Sequence, residues 1–396
     1  LSRRLNVSDS SHQPVSCFGL AKPVQDPNGT PKLMSPFLVS FLEILIGIAL
    51  LFGGGELFVA GSVAISLLLR IPQIVIGLTV VSLGTAAPEL FVSLLSMIHG
   101  GAGGDALAVS NIVGSNIFNV LVVLGASAVV MPLRVKSRLV RRDVPLLLGV
   151  SMATWGMASG GRITWVAGLA LITGLVINLL WEMRSAKEEA PEASDDLDAD
   201  GAAPAPIAAI KLAAGLVLLV LGSQVLVKGA TAAALGLGVS QAVVGLTIVA
   251  AGTSMPELVT SLVAAYRGQG DLAIGNVVGS NLLNQLLILG LCGVVSGGRG
   301  LGVDPILLSH DFPIMVLITL ACLPIFWSGG VIKRWEGGLF LGLYGLYLTE
   351  QILSNMAPSM VDEYRLVVLV AVLPLALVVV LWSAIRWQRQ RQLLQG

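Results

Sequence analysis

Two glutamates lie inside long apolar stretches of this sequence, each at the end of the same short motif. Glu89 closes Gly-Thr-Ala-Ala-Pro-Glu at residues 84–89, and Glu257 closes Gly-Thr-Ser-Met-Pro-Glu at residues 252–257. A charged side chain at the centre of a bilayer costs about 2.5–3.5 kcal/mol even on the lenient insertion scale. A chain that keeps two such carboxylates therefore needs a use for them, and their chemistry indicates cation binding.

Other oxygen atoms accompany the two carboxylates. The proline before each glutamate breaks the helix and frees backbone carbonyl oxygens near residues 82–85 and 250–253. Polar side chains at these turns and in two later spans add hydroxyl and amide oxygens; they are Thr85, Thr253, Ser254, Ser115, Asn119, Ser280 and Asn284. None of these groups offers sulfur or imidazole. An all-oxygen set with two carboxylates suits calcium and sodium rather than zinc or copper.

Both motifs belong to a long internal repeat. Residues 77–98 align with residues 245–266, and residues 111–125 align with residues 276–290. Five predicted spans separate the starts of the two copies. Because this number is odd, the copies enter the membrane from opposite sides, as in the inverted repeats of transporters, whose substrate site lies where the copies meet.

The composition explains which elements position these groups. Hydrophobic residues make up 55% of the 396 residues and charged residues 12%, and soluble chains carry roughly twice that charged share. We predict an all-α polytopic membrane protein, since only helices satisfy the backbone within such apolar spans. The eleven predicted spans are 36–69, 72–98, 105–131, 144–159, 163–183, 208–236, 240–266, 271–296, 311–328, 335–353 and 364–386.

The spans define five predicted regions. These are a polar N-terminal tail at 1–35, a first five-helix repeat at 36–183, an acidic linker at 184–207, a second five-helix repeat at 208–353, and an extra span with a basic tail at 354–396. The linker contains seven acidic residues and three prolines, a composition that cannot bury a core. We expect it to be hydrophilic and flexible.

Positive charges predict the orientation, because cytoplasmic loops carry an excess of Lys and Arg. With eleven spans most basic residues fall on one side, among them Arg134, Lys136, Arg138, Arg141, Arg142, Lys333, Arg334, Arg386, Arg389 and Arg391. The N-terminus is therefore predicted outside, and the linker and C-terminus in the cytoplasm. The lipid bilayer is the predicted partner. Zero net charge gives no basic surface for nucleic acid, and no obligatory protein partner is evident.

The repeated Gly-Thr-x-x-Pro-Glu followed by Asn-x-x-Gly-Ser-Asn-x-x-Asn resembles the sodium/calcium exchanger family of the cation/calcium antiporters, especially its prokaryotic members. The resemblance covers residues 36–353 and implies a ten-span core in which spans 1 and 6 slide across a fixed bundle. It implies exchange of calcium for sodium across a prokaryotic inner membrane. The ligands that it implies are Glu89, Glu257, Thr85, Thr253, Ser254, Ser115, Asn119, Ser280 and Asn284, with the carbonyls of Ser82 and Ala250.

The sequence departs from the family pattern at two places. Ala86 stands where the second copy has Ser254 and the family has serine, and Asn284 stands where some prokaryotic members carry aspartate. Two carboxylates remain at the centre, and the two halves of the site are not expected to bind ions equally. Four nearby asparagines are interpreted as helix-interface contacts; they are Asn111, Asn116, Asn276 and Asn281.

Alternatives remain open at this point. Buried carboxylates also bind protons, so a proton-coupled antiporter is possible, and so is a potassium-dependent one. An ion channel or an intramembrane enzyme would represent other classes. The sequence has no Walker A motif and no nucleophile set, so we expect a secondary transporter with no organic cofactor, not an enzyme.

Overall fold

The computed structural model describes residues 36–99, 101–135, 139–193, 204–239, 244, 247–248, 250–327, 330–368, 370 and 374. These residues are mostly helical. Six helices are long and apolar enough to cross a membrane, or seven if one bent pair counts as a single span. The chain is therefore a multi-pass membrane protein. The count of eleven spans is finer than this and stays a prediction.

The described residues of the first half form eight α-helices and two short strands. They are α1 (Pro36–Leu69), α2 (Gln73–Ile76), α3 (Ser82–Thr85), α4 (Ala87–His99), α5 (Gly101–Phe118), α6 (Gly125–Val130), β1 (Leu133–Arg134), α7 (Val144–Ala158), β2 (Arg162–Ile163) and α8 (Trp165–Ala193). Three π-helical segments join them, at Gly77–Val81, Asn119–Leu124 and Leu139–Asp143.

The second half has a corresponding series. It comprises α9 (Ala205–Gly236), α10 (Ala250–Thr253), α11 (Met255–Tyr266), α12 (Gly270–Leu283), α13 (Gly290–Val295), β3 (Leu301–Gly302), α14 (Phe312–Trp327), β4 (Val331–Ile332), α15 (Arg334–Met356) and α16 (Val361–Val367). Its π-helical segments are Asn284–Leu289 and Leu307–Asp311, at places that match those of the first half. The sequence repeat thus continues in the order of the elements.

The strands connect the two halves. β1 pairs with β4 and β2 pairs with β3, both antiparallel. The first ribbon joins the connection before α7 to the connection before α15. The second ribbon joins the connection before α8 to the connection before α14. These two ribbons modify the all-α expectation, because pairs of two-residue strands leave no pattern in a sequence.

Helices α1 and α9 pack against each other through glycines spaced seven residues apart. Gly47, Gly54 and Gly61 lie on α1, and α9 presents Gly215, Gly222 and Gly229. A Cβ added at Gly54 would lie 2.8 Å from the backbone nitrogen of Leu219. Small residues of this kind let membrane helices approach closely.

Two charged clusters occupy equivalent positions in the halves. Arg142 contacts Asp143 at 3.7 Å and Glu182 at 2.9 Å. In the second half, His310 Nδ1 lies 3.0 Å from Asp311 Oδ1 and His310 Nε2 lies 2.7 Å from Glu350 Oε1. Arginine in one half is thus replaced by histidine in the other.

The predicted linker begins later than expected, because α8 continues to Ala193. Residues 184–193 include good helix formers, which extend a helix beyond its apolar part. The rest of the acidic run lies outside the described residues, as do the tail at 1–35, most of the predicted eleventh span and much of residues 240–249.

Helices α5 and α12 are the most buried of the long spans and form the centre of the bundle.

Candidate functional site

Glu89 and Glu257 lie in the first turns of α4 and α11. Their exposed fractions are 0% and 1%. Pro88 and Pro256 stand one residue earlier, where a helix start does not need the backbone N–H. The helix dipole also favours a negative charge in a first turn, so both helices are suited to hold an ionised carboxylate inside the protein.

The helix break predicted at the first motif is confirmed. The axes of Gln73–Thr85 and Ala87–His99 differ by 44°. The carbonyl of Ser82 lies at this break and accepts the N–H of Ala86 at 3.0 Å and the hydroxyl of Thr85 at 3.5 Å. In the second repeat Ala250 begins the short helix α10, which ends before Ser254.

Hydroxyl groups reach across from one repeat to the other. Ser254 Oγ donates to Glu89 Oε1 at 2.8 Å and lies 3.1 Å from Ser115 Oγ. Thr85 Oγ1 lies 3.1 Å from Asn276 Oδ1, and Thr253 Oγ1 lies 3.5 Å from Asn111 Oδ1. The structure thus brings Ser254, Thr253 and Ser115 next to Glu89, and Thr85 next to Glu257.

The asparagines predicted at helix interfaces do lie there, and they also fix the site. Asn111 Nδ2 lies 3.5 Å from the carbonyl of Glu89 and donates to Ser93 Oγ at 3.1 Å. Asn276 Nδ2 does the same for the carbonyl of Glu257 and for Ser261 Oγ, at 3.3 and 3.0 Å. Asn111 therefore joins Thr253 to the start of the helix that carries Glu89. Asn276 joins Thr85 to the start of the helix that carries Glu257.

A second asparagine set orients the amide ligands. Asn119 Nδ2 donates to Asn281 Oδ1 at 3.1 Å, and Asn284 Nδ2 donates to Asn116 Oδ1 at 3.1 Å. Since the amide nitrogens are used in this way, the amide oxygens of Asn119 and Asn284 remain available. Such supporting hydrogen bonds set the orientation of ligands around a metal.

Several buried oxygen atoms have no hydrogen-bond partner in the part of the chain that the structure describes. Those at the predicted site are Glu89 Oε2, Glu257 Oε2, Asn119 Oδ1, Asn284 Oδ1 and Ser280 Oγ. Leaving a buried polar atom unpaired costs about 1–3 kcal/mol. A hard cation accepts ligands of this kind, so the residues present fit calcium or sodium as substrate.

The two halves of the site differ at Ala86. On one side Ser254 contacts both Glu89 and Ser115. On the other side Ala86 has no hydroxyl for Glu257, and Ser280 Oγ is among the unpartnered atoms. Among the described residues, no group of three or more His, Cys, Asp or Glu is arranged for a metal.

Sequence reasoning missed two features around the site. Ser93 and Ser261 accept hydrogen bonds from the interface asparagines, and they occupy matching places in the repeat, which is the signal that could have found them. Gln285 follows Asn284 directly and hydrogen-bonds to α7. Its partner in the first repeat is Val120, so the repeat comparison marks Gln285 only as a difference.

The chain is similar to known proteins of one family. The profile of the family described as "Sodium/calcium exchanger protein" matches residues 39–183 and 207–353. The chain is 35% identical to "Putative antiporter CaxA" of Alkalimonas amylolytica over 75% of this chain and 92% of that one. It is 30% identical to "Sodium/calcium exchanger MaX1" of Methanosarcina acetivorans over 78% of this chain and 97% of that one.

A solved structure has the same fold. The sodium-calcium exchanger NCX_Mj, soaked with 2.5 mM Na+ and 0.1 mM Ca2+, superposes with a TM-score of 0.67 at 29% sequence identity. The match covers 79% of this chain and 98% of that chain.

Proposed function

The chain belongs to the sodium/calcium exchanger family, and we propose that it is a secondary antiporter that exchanges calcium for sodium across the membrane. The observation that carries the proposal is the pair of buried glutamates, each with one carboxylate oxygen that has no hydrogen-bond partner among the described residues. Two negative charges balance one calcium ion. Alternatively, the two glutamates hold sodium ions that enter from the opposite side of the membrane.

The proposed ligands are those of the sequence analysis. Glu89 and Glu257 supply charge, and the unpartnered oxygens of Asn119, Asn284 and Ser280 supply neutral ligands. Thr85, Thr253, Ser254 and Ser115 contribute hydroxyl groups, with the carbonyls of Ser82 and Ala250 at the helix breaks. Calcium takes six to eight oxygen ligands at about 2.3–2.6 Å, a number that this set can provide.

The proposed transport cycle uses an inverted pair of five-helix repeats and alternating access. The ribbons support the inversion: β1 and β3 are equivalent in the repeat, yet β1 pairs with β4 and β2 with β3. If the copies pointed the same way, the partners would lie on opposite sides of a membrane about 30 Å thick. The glycine-lined pair of α1 and α9 is the proposed mobile unit.

We place the protein in a prokaryotic inner membrane, with the linker and C-terminus in the cytoplasm. The ribbon of β1 and β4 supports this orientation, because Arg134, Lys333 and Arg334 lie in or beside it and basic residues favour the cytoplasmic side. The other ribbon, next to Arg299, would then face outward.

The test is calcium-45 uptake into vesicles that contain the full chain and are loaded with sodium. We expect uptake when sodium is absent outside, and none when sodium is equal on both sides. Matched vesicles with a pH gradient, or with potassium added, test the proton-coupled and potassium-dependent alternatives. Uptake that follows the pH gradient and ignores sodium would exclude sodium exchange.

A further inference from the structure

Gln285 connects the ion site to helix α7. Its side chain is 1% exposed and makes hydrogen bonds at both ends. Nε2 donates to Ser151 Oγ at 3.0 Å and lies 3.4 Å from the carbonyl of Asn281, while Oε1 accepts from Thr154 Oγ1 at 2.9 Å. Ser151 and Thr154 are both fully buried in α7.

In the part of the chain that the structure describes, the equivalent place in the first repeat has no such connection. Val120 occupies the position equivalent to Gln285. In α14, Thr319 is equivalent to Ser151 and Cys322 is equivalent to Thr154. These three residues line an apolar cavity. Thr319 Oγ1 donates to the carbonyl of Met315 in its own helix, at 2.8 Å, so its hydroxyl does not reach the site.

Gln285 lies next to residues of the predicted ion site, which the hydrogen bonds to α7 can therefore affect. Gln285 follows Asn284, whose Oδ1 is an unpartnered oxygen of the site, within the π-helical segment Asn284–Leu289. It also contacts the backbone of Asn281, whose Oδ1 accepts the amide of Asn119. A π-helical turn is less regular than an α-helical one and is frequent at functional sites, so an anchor there fixes the ligand geometry.

We propose that Gln285 is a positioning residue that sets the ion affinity of the Asn284 half of the site by tying its π-helical turn to Ser151 and Thr154. This inference rests on the proposed function, since it assigns a role around the same ion site. The first-repeat half, held by apolar packing around Val120, is the less constrained half.

The experiment titrates the purified full-length protein with calcium chloride and follows its thermal stabilisation. The variants are Gln285→Met and Thr154→Val, which remove hydrogen bonds at nearly constant volume. We expect each to raise the half-saturating calcium concentration roughly three- to tenfold, the cost of a net hydrogen bond. In sodium-loaded vesicles the same variants should raise the KM for calcium and keep kcat within about twofold.

Two controls separate positioning from folding. Thr154→Ser keeps the hydroxyl and should retain the parental affinity. Thr319→Val removes the hydroxyl at the position equivalent to Ser151, which donates within its own helix, and should leave the affinity unchanged. Parental half-saturation in both Gln285→Met and Thr154→Val would overturn the proposal, as would an equal shift in Thr319→Val.

The Thr154 series still decides the question if Gln285→Met does not fold. Failure of sodium exchange is a separate outcome. If parental vesicles ignore sodium while the calcium titration shifts as described, the proposed function fails and the positioning role stands.

Discussion

Ser254 donates its hydroxyl to Glu89 across the boundary between the two repeats, at 2.8 Å, and Ser254 Oγ also lies 3.1 Å from Ser115 Oγ. The reverse relationship cannot form, because Ala86, which has no hydroxyl, stands at the position equivalent to Ser254. One side of the site therefore has a hydroxyl pair that the other side lacks.

Substituting Ala86→Ser should make the two halves more alike. The new hydroxyl would lie near Glu257 and Ser280, and one added hydrogen bond or ligand is worth about 1 kcal/mol. We expect the half-saturating calcium concentration to fall roughly fivefold, and to rise by a similar factor in Ser254→Ala. Equilibrium calcium titration measures both. Unchanged affinity in both variants would show that a hydroxyl at these positions does not affect ion binding.

Removing either carboxylate charge should stop exchange. Glu89→Gln and Glu257→Gln keep the shape of the side chain and remove one of two charges that balance calcium, so we expect a loss of at least about a hundredfold in sodium-driven calcium uptake. Glu363→Gln, on the exposed face of α16, is the control and should retain parental uptake. Parental uptake in either site variant would refute the site assignment.

An ion pair joins α1 to the end of α11, between Glu56 and Arg267. The equivalent residues are Gln224 and His99, and His99 Nδ1 contacts the carbonyl of Leu95 in its own helix at 3.1 Å. If α1 slides against the core, the Glu56–Arg267 pair has to separate. A half-exposed pair contributes up to about 1 kcal/mol, so Glu56→Gln should change the turnover rate by up to about fivefold.

A charge reversal tests whether this pair acts as a unit. The double variant Glu56→Arg with Arg267→Glu should restore the parental turnover rate in the vesicle assay, whereas each single reversal should not. Effects that simply add in the double variant would mean that the two side chains are not coupled during transport.

His310 joins Asp311 of its own segment to Glu350 of α15. Arg142 has the same place in the first repeat, between Asp143 and Glu182. We therefore expect His310→Arg to keep the thermal midpoint of the purified protein, and His310→Gln to lower the free energy of unfolding by about 1–3 kcal/mol, because buried carboxylates lose a donor. Equal destabilisation by both variants would show that volume, not charge pairing, matters here.

The sequence predicted the centre of this molecule better than its periphery. The bounds of α1, the bend before Pro88 and the polar set around Glu89 and Glu257 follow from hydropathy, proline chemistry and the repeat. The end of α8 at Ala193 was not predicted, because helix propensity continues past the apolar residues. Hydrogen bonds such as Gln285 to Thr154 join residues far apart in the chain, and no local pattern marks them.

The two ribbons have a consequence for biosynthesis. Leu133 pairs with Ile332, and Ile163 pairs with Leu301. At roughly 5–20 residues per second, a ribosome needs on the order of 10–40 seconds to make the chain between Leu133 and its partner. Both strands of the first repeat are therefore made before their partners. The hydrogen bonds of β2 form only after translation has passed Gly302, about two thirds of the way through the second repeat, and those of β1 only after it has passed Ile332.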